Sequence, residues 1–267
     1  MKKIIVATDY EIRAALANSQ SGDIICVKPG NYFENDQPTQ LRLANKVTLQ
    51  GMTDDANDVV FKNAFIILGY ASTIYLKNLT INLDCDKLNT IAIYDKSKVY
   101  GDNIIVNRTN PKQWNTVFCK DSDISLINSI ITSDTDENTS ALSLENSQLY
   151  AENTEIYFYA SKNSQSIIKS SVIDYAVCLI NNSEFYFNEL VIDPLNNSNT
   201  SSCYLSDNSV FYGENIIFSE NDCTIEVDTL DSSTFDINNL KSDQSNLEWI
   251  HDDNATVLID GERPSEY

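Results

Sequence analysis

The amino-acid sequence predicts an all-β fold, a parallel β-helix of about ten turns with an N-terminal helical cap. Short segments recur about every 24 residues, apolar residues alternate within each segment, and most segments carry an asparagine at one fixed position. A recurrence of this length is typical of solenoids, and alternation with a period of two is typical of half-buried strands. Stacking such segments strand upon strand gives a parallel β-helix.

The cap is predicted from the first residues. Thr8 and Glu11 form the T-x-x-E pattern of a capping box, and apolar residues follow them at helical spacing. Gly22 is then suited to end the helix. Because an open solenoid end exposes unpaired strand edges, we expect residues 1–22 to cover the first turn.

The repeated segments begin with serine or another small polar residue. In STIYLKNLTI (72–81), Ile74 and Leu76 alternate, and Asn78 follows two places later. Asparagine tolerates the left-handed backbone of a tight bend and can bond to the asparagine of the next turn. The other clear segments are 97–106, 122–131, 147–156, 164–173, 183–192, 209–218 and 233–242, with looser matches at 22–31 and 45–54. The residues expected to face inward include Ile74, Leu76, Val99, Ile124, Leu126, Leu149, Phe185, Phe187, Phe211, Phe235 and Ile237.

The repeats run through nearly the whole chain, which predicts a single β-helix domain over residues 1–267. The segment 244–267 breaks the pattern of alternating residues. We therefore expect this segment to cover the far end of the stack as a C-terminal cap.

The composition excludes several functional classes. The chain has 18 Lys and Arg against 39 Asp and Glu, a net charge of −21 at pH 7. Binding to nucleic acid or to an anionic membrane needs positive charge, so neither partner is expected. No apolar run is long enough to span a bilayer, and Asp9 comes too early for a signal peptide, which predicts a cytoplasmic protein.

The opening GDIICVKPGNYFE, with a helix before it and Ser/Asn strands after it, resembles the pectin-lyase-like superfamily of right-handed parallel β-helices. That superfamily includes lyases, hydrolases, esterases and non-catalytic members, and KPGNYFE (28–34) is similar to the opening of pectin methylesterases. The resemblance implies the fold. The family's catalytic motifs, which are paired aspartates, an Arg or Lys base beside calcium ligands, or clustered Asp with a Gly-His element, have no match here.

An enzymatic interpretation is one of two that the sequence allows, namely a carbohydrate-active lyase or hydrolase acting on a polysaccharide. Arg108 and Trp114 fall in one predicted loop and could hold a uronate or the face of a sugar. Asp84 and Asp86 would point to one side of an extended strand, and paired carboxylates of this kind can share acid and base roles. These residues are the candidate catalytic and ligand-contact positions of this alternative.

No metal or cofactor is expected in the other interpretation. The six cysteines are scattered without a CxxC pair, and His251 is the only histidine, whereas zinc needs closely spaced thiolates and imidazoles. The cysteines are expected to be reduced and buried. Under the enzymatic alternative, calcium could bind the oxygen atoms of Asp134, Asp136 and Glu137.

The distribution of charge favours a non-catalytic function. Residues 170–267 hold only Lys241 and Arg263 against 19 acidic residues. Such a field speeds capture of a basic partner and repels polyanions. The preferred interpretation is therefore an interaction protein that binds a basic protein, as an inhibitor or toxin-neutralising partner. Its partner-binding residues would form an acidic strip made of Glu184, Glu189, Asp193, Asp207, Glu214 and Asp236.

Overall fold

The structure is a computed structural model that describes residues 1–34, 37–109, 114–133, 139–193, 202–219, 225–241 and 247–264. The chain divides into two compact units, Met1–Leu142 and Ser143–Tyr267. Each unit is a stack of short strands in which successive turns pair in parallel, so the predicted right-handed parallel β-helix is confirmed. The single-domain organisation stays a prediction.

The first unit has three strand positions in each turn, and each strand pairs with the strand at the same position of the next turn. Its elements are β1 (Lys3–Val6), α1 (Asp9–Asn18), β2 (Ile24–Val27), β3 (Gly30–Tyr32), β4 (Thr39–Gln40), β5 (Val47–Gly51), a 3-10 turn (Ala56–Asp58), β6 (Val59–Phe61), β7 (Ala64–Leu68), β8 (Thr73–Asp84), β9 (Ile91–Ile93), β10 (Lys98–Thr109), β11 (Val117–Lys120), β12 (Asp123–Ile127) and β13 (Ile130–Ser133).

The second unit repeats this arrangement of strands. Its elements are β14 (Leu142–Glu145), which begins at the boundary, β15 (Gln148–Glu152), β16 (Glu155–Lys162), β17 (Gln165–Ile180), β18 (Glu184–Ile192), β19 (Cys203–Leu205), β20 (Val210–Phe218), β21 (Ile225–Thr229), β22 (Thr234–Leu240), β23 (Leu247–His251) and β24 (Thr256–Ile259). The first strand position is a continuous parallel stack of β15, β17, β18, β20, β22 and β24. The second position holds the first residues of β16 and the later residues of β17, β18 and β20, and the third holds the ends of β16 and β17 followed by β19, β21 and β23.

The helical cap forms as predicted. The N–H of Glu11 donates to Thr8 Oγ1 at 3.2 Å. In return, Glu11 Oε2 accepts from the N–H of Ala7 at 2.7 Å, whereas a standard capping box uses the N–H of the N-cap residue, here Thr8. The apolar stripe of α1 is buried. The sequence did not predict β1, which pairs with β2 and adds a strand beyond the first turn.

The C-terminal segment adds strands to the stack instead of breaking the repeat as predicted. β23 pairs in parallel with β21, and β24 pairs with β22. Val257 and Ile259 are buried, because they continue the inward alternation of the turn before them. The stack of the second unit therefore extends to Ile259.

All the residues predicted to face inward are buried. In the second unit the aromatic ones form a column along the stack. The ring centroids of Phe185 and Phe211 lie 5.1 Å apart, and the two ring planes make an angle of 8°. The centroids of Phe211 and Phe235 lie 4.9 Å apart, with an angle of 3° between the planes. Gly213 makes room beside this column, since a Cβ there would lie 2.3 Å from the carbonyl oxygen of Phe187.

The predicted asparagine position is a corner with left-handed backbone, between the first and second strand positions. Asn78 and Asn103 both have a φ of 52°, and Asn103 Nδ2 donates to Asn78 Oδ1 at 3.0 Å. In the second unit Asn239 Nδ2 donates to Asn215 Oδ1 in the same way. Both roles assigned to this asparagine, the bend and the bond to the next turn, are confirmed.

Glu189 occupies one of these corners with a φ of 60°. A glutamate pays about 1–2 kcal/mol for this backbone, which asparagine adopts far more readily. We expect Glu189→Asn to raise the free energy of unfolding by about 1 kcal/mol. The substitution also removes the exposed hydrogen bond that Ser170 Oγ donates to Glu189, and the loss of this bond reduces the gain. Urea unfolding measures the change. The matched control is Glu214→Asn in extended backbone, and equal effects of the two substitutions would refute the explanation by backbone strain.

The serines that begin the repeats form a buried ladder at the corner where the third strand position of one turn leads into the first strand position of the following turn. The N–H of Ser183 donates to Ser209 Oγ at 3.3 Å, and the N–H of Ser209 donates to Ser233 Oγ at 3.0 Å. Each turn thereby satisfies a backbone donor of its neighbour inside the protein. This ladder explains why the repeats align on serine.

Among the residues that the structure describes, no helix has both the length and the apolar character needed to cross a membrane. Five cysteines in this part of the chain form no disulfide bond. Cys26, Cys119 and Cys203 are fully buried, so these three thiols pack as core residues.

Candidate functional site

The two shortest turns of the second unit have no loop between the second and third strand positions. Ser147, Ser164 and Ser183 begin successive turns and lie 17 and 19 residues apart. As a result β17 runs through the first, second and third positions of its turn without interruption. In these two turns, the side chains at the bend between the second and third positions are therefore held on strands.

Asp174 lies at this bend and is acted on by one carboxyl group of the preceding turn and one of the following turn, and we call Glu155, Asp174 and Asp193 the carboxyl cluster. Ile173 and Ile192 pair in register, and the N–H of Asp193 donates to the carbonyl oxygen of Ile173 at 2.9 Å, so Asp174 and Asp193 are neighbours on adjacent turns. Glu155, at the start of β16, hydrogen-bonds to Asp174 from the preceding turn. The cluster thus spans three consecutive turns.

The surroundings of Asp174 favour its protonated form. The pKa of Asp174 is raised to about 7, most of all by burial, then by the hydrogen bond to Glu155 and by the charges of Glu155 and Asp193. Ser219, on the next turn, donates its hydroxyl hydrogen to Asp193 Oδ1. This bond helps to hold the Asp193 carboxylate in place beside the Asp174 carboxyl.

Aromatic rings stand next to the carboxyl cluster. A β-bulge lies between Ile156 and Phe158, and such a bulge redirects the side chains around it. The ring of Tyr157 stacks on that of Tyr175, with a centroid distance of 5.7 Å and an interplanar angle of 10°. Phe158 contacts Tyr175 edge-on, with a centroid distance of 5.5 Å. Tyr175 is buried and Tyr157 is half-buried, so the stack fixes an aromatic side chain at the edge of the cluster.

This arrangement can transfer protons. The Asp174 carboxyl, with its pKa raised to about 7, can gain and lose a proton near neutral pH. A pair of carboxyl groups with different protonation states is what general acid and base catalysis requires. Within the described ranges, no group of three or more His, Cys, Asp or Glu residues is arranged to hold a metal ion.

Arg108 does not lie on a loop with Trp114, as the sequence predicted. It is on β10, it is fully buried, and it donates from Nε and Nη2 to the carbonyl oxygen of Cys85 at 3.0 and 2.7 Å. The inward alternation of Ile104 and Val106 continues to this residue, which explains its burial. Burial lowers the pKa of Arg108 and keeps its guanidinium from any polymer at the surface, whereas Trp114 is 43% exposed.

Asp84 and Asp86 do not share one side of a strand. β8 ends at Asp84, which is exposed, and Asp86 is half-buried beyond the strand end. The negative charge of Asp86 acts on the buried Arg108 instead. The candidate calcium ligands Asp134, Asp136 and Glu137 lie outside the described residues.

The predicted acidic strip does not form. Glu184 pairs in register with Gln165 and Val210, Glu214 with Asn188 and Asn238, and Asp236 with Tyr212 and Leu258. The remaining members occupy other places in the turn: Glu189 and Asp207 lie at two different corners, and Asp193 lies in the carboxyl cluster. Glu184, Glu214 and Asp236 therefore share the first strand position without stacking on one another, and the other three acidic residues lie elsewhere in the turn.

The carboxyl cluster was missed by the sequence analysis except for Asp193. The available signal was the pair of short repeats at 147–182, which leaves no loop between the second and third strand positions. Two aspartates, Asp174 and Asp193, each follow the isoleucine that closes the second strand of its repeat. Equal positions in adjacent repeats predict neighbouring side chains.

Comparisons with known proteins find similar folds. No family model matches the sequence, and neither does any curated protein. The pectin methylesterase from Aspergillus niger is 15% identical over 90% of this chain and 84% of its own, with a TM-score of 0.49. The rice weevil pectin methyl esterase is 11% identical over 95% and 88%, with a TM-score of 0.39. The PL6 family alginate lyase AlyGC is 12% identical over 96% of this chain and only 40% of its own, with a TM-score of 0.32.

The interpretation of the chain as a non-catalytic protein that binds a basic partner is wrong. The acidic strip on which it depended does not form, because its members occupy different positions of the turn. At such low identity these likenesses concern the fold, and any activity must be argued from this chain's own residues. The enzymatic alternative remains.

Proposed function

We propose that this chain is a hydrolase that cleaves the glycosidic bonds of a neutral polysaccharide, with the carboxyl cluster as its acid–base centre. The observation that carries the proposal is the environment of Asp174, a half-buried carboxyl with a pKa of about 7 between two carboxylates. Glycoside hydrolysis needs two carboxyl groups, one protonated and one ionised, on either side of the scissile bond.

Each member of the carboxyl cluster has a distinct role in this proposal. Asp174 donates its proton to the oxygen of the leaving sugar, for which a raised pKa is required. Asp193 is the second carboxyl group of the pair, held by the bond from Ser219, and it either activates water or attacks the sugar carbon. Glu155 maintains the proton on Asp174 through its hydrogen bond and its charge.

The charge of the site selects the substrate class. Both side chains that shift the pKa of Asp174 are acidic, and residues 170–267 as a whole hold 19 acidic residues against two basic ones. A polyuronate would be repelled by this field. A lyase reaction on a uronate also needs a positive charge beside the uronate carboxylate, and none of the groups acting on Asp174 supplies it. A neutral chain, whose sugar rings can pack against Tyr157, avoids both problems.

Product analysis tests this proposal. The protein is incubated separately with xylan, mannan, a soluble glucan, polygalacturonate and alginate, and both reducing ends and the ultraviolet absorbance of unsaturated sugars are measured. We expect reducing ends from at least one neutral polymer, without unsaturated products. Unsaturated products from a polyuronate, or no new reducing ends from any of the neutral polymers, would refute the proposal.

A further inference from the structure

A second feature of these turns is a groove that the proposed reaction does not use. It has a volume of about 300 Å³, within the range of small-molecule sites. It lies at the corner where the third strand position of one turn leads into the first strand position of the following turn. Asp174 of the carboxyl cluster lies at a different place, between the second and third strand positions. We call it the amide groove, and it is lined by Asn146, Ser147, Gln148, Asn163, Ser164, Gln165, Asn182 and Glu184.

The amide side chains of the groove are oriented by bonds to one another. Asn163 Nδ2 donates to Asn146 Oδ1 at 2.7 Å, and Gln165 Nε2 donates to Glu184 Oε2 at 2.8 Å. The bond to Asn146 uses one of the two N–H donors of Asn163. An amide offers two donors and an acceptor oxygen, and a sugar hydroxyl both donates and accepts, so an ordered row of amides matches a row of hydroxyls.

Backbone groups at the groove are already used between turns. The N–H of Asn146 donates to the carbonyl of Lys162, and the N–H of Asn163 donates to the carbonyl of Ile180. A peptide strand that recognised its site through the main chain would find these donors occupied. Recognition at the groove therefore depends on side chains, which favours a ligand rich in hydroxyl groups.

An apolar row runs beside the groove on the same strands. Tyr150, Ile167, Tyr186 and Tyr212 pair in register along the first strand position, and Ile167 and Tyr212 are 43% and 41% exposed. The hydroxyl of Tyr186 donates to Glu184 Oε2 at 3.3 Å, which links this row to the groove. The amides of the groove and the apolar side chains of the neighbouring row together offer polar and apolar contacts. A sugar chain needs both, since it has hydroxyl groups as well as apolar ring faces.

We propose that the amide groove is a second binding site for a neutral oligosaccharide, separate from the carboxyl cluster. The choice of a sugar as ligand rests on the proposed function, but the groove's geometry does not. The only charged residue of its lining, Glu184, already accepts two hydrogen bonds, so an anionic ligand gains nothing there. Such a site would hold the polymer while another stretch of it is cleaved.

Binding measurements in the Asp174→Asn background test the groove without loss of the probe to hydrolysis. Calorimetry is carried out with cellohexaose, xylohexaose, mannohexaose and hexagalacturonate. The test variant is Gln148→Ala with Gln165→Ala, both at exposed strand positions where alanine is tolerated. The control is Thr234→Ala, at the same strand position two turns beyond Glu184. We expect a neutral hexaose to bind with a Kd below about 1 mM and the double variant to weaken it roughly tenfold, with no change in the control.

The outcomes separate this inference from the proposed function. Unchanged affinity in the double variant, no binding of any neutral hexaose, or tighter binding of hexagalacturonate would each overturn the groove as a sugar site. Loss of binding in the double variant supports the groove even when the wild-type protein releases no reducing ends, a result that defeats only the proposed hydrolysis. Hydrolysis together with unchanged binding in the double variant defeats only the groove.

Discussion

Replacing Asp174 by asparagine should lower kcat for the hydrolysis of a neutral polysaccharide by about 10²- to 10⁴-fold, the usual contribution of a general acid. Asparagine keeps the shape of the side chain but has no acidic proton to give to the leaving sugar. The matched control is Asp207→Asn, since Asp207 is exposed, lies in the same unit, and has a φ of 56° that asparagine also accepts. Its kcat should equal that of the wild type.

The same substitution should stabilise the protein at alkaline pH. The pKa of Asp174 is raised to about 7 on folding, so the folded state binds this proton more tightly than the unfolded chain. Below about pH 4 both states are protonated. Between about pH 4 and 7 only the unfolded chain ionises, and the wild type loses stability. Asp174→Asn should therefore have a higher urea midpoint than the wild type at pH 8. A lower midpoint, with the loss of activity, would indicate a structural role for Asp174.

Replacing Phe211 by alanine should lower the free energy of unfolding by about 3–5 kcal/mol. Phe211 is fully buried, and its ring lies between those of Phe185 and Phe235, so its removal leaves a cavity in the middle of the aromatic column. Urea unfolding followed by near-ultraviolet circular dichroism measures the loss. Tyr212→Ala, at the next and outward position, is the control and should cost less than about 1 kcal/mol. Similar losses for both variants would contradict the inward alternation.

The repeat could be predicted because it depends on local rules. Alternation fixes which residues of a strand face inward, and the asparagine position marks a left-handed corner, as Asn78 and Asn103 show. Both signals lie within one turn. The extension of the stack to Ile259 was not predicted, because the acidic residues before Val257 made the alternation of Val257 and Ile259 difficult to recognise in the sequence.

The candidate site could not be predicted in the same way, since it depends on register between turns. Arg108 looked like a loop residue beside Trp114, yet strand alternation carries it into the interior. The acidic residues of the C-terminal half looked like one strip, but their repeat positions differ. Conversely, Asp174 and Asp193 are 19 residues apart in the sequence and become neighbours only because their repeats stack.

The pH dependence of kcat/KM for the neutral polymer that is cleaved tests the central claim most directly. A general acid works only while it is protonated. Because the pKa of Asp174 is raised to about 7, kcat/KM should fall as the pH rises through about 7, and this alkaline limb should be absent from the residual activity of Asp174→Asn. A wild-type kcat/KM that stays constant or rises between about pH 7 and 9 would contradict the assignment of Asp174 as the acid.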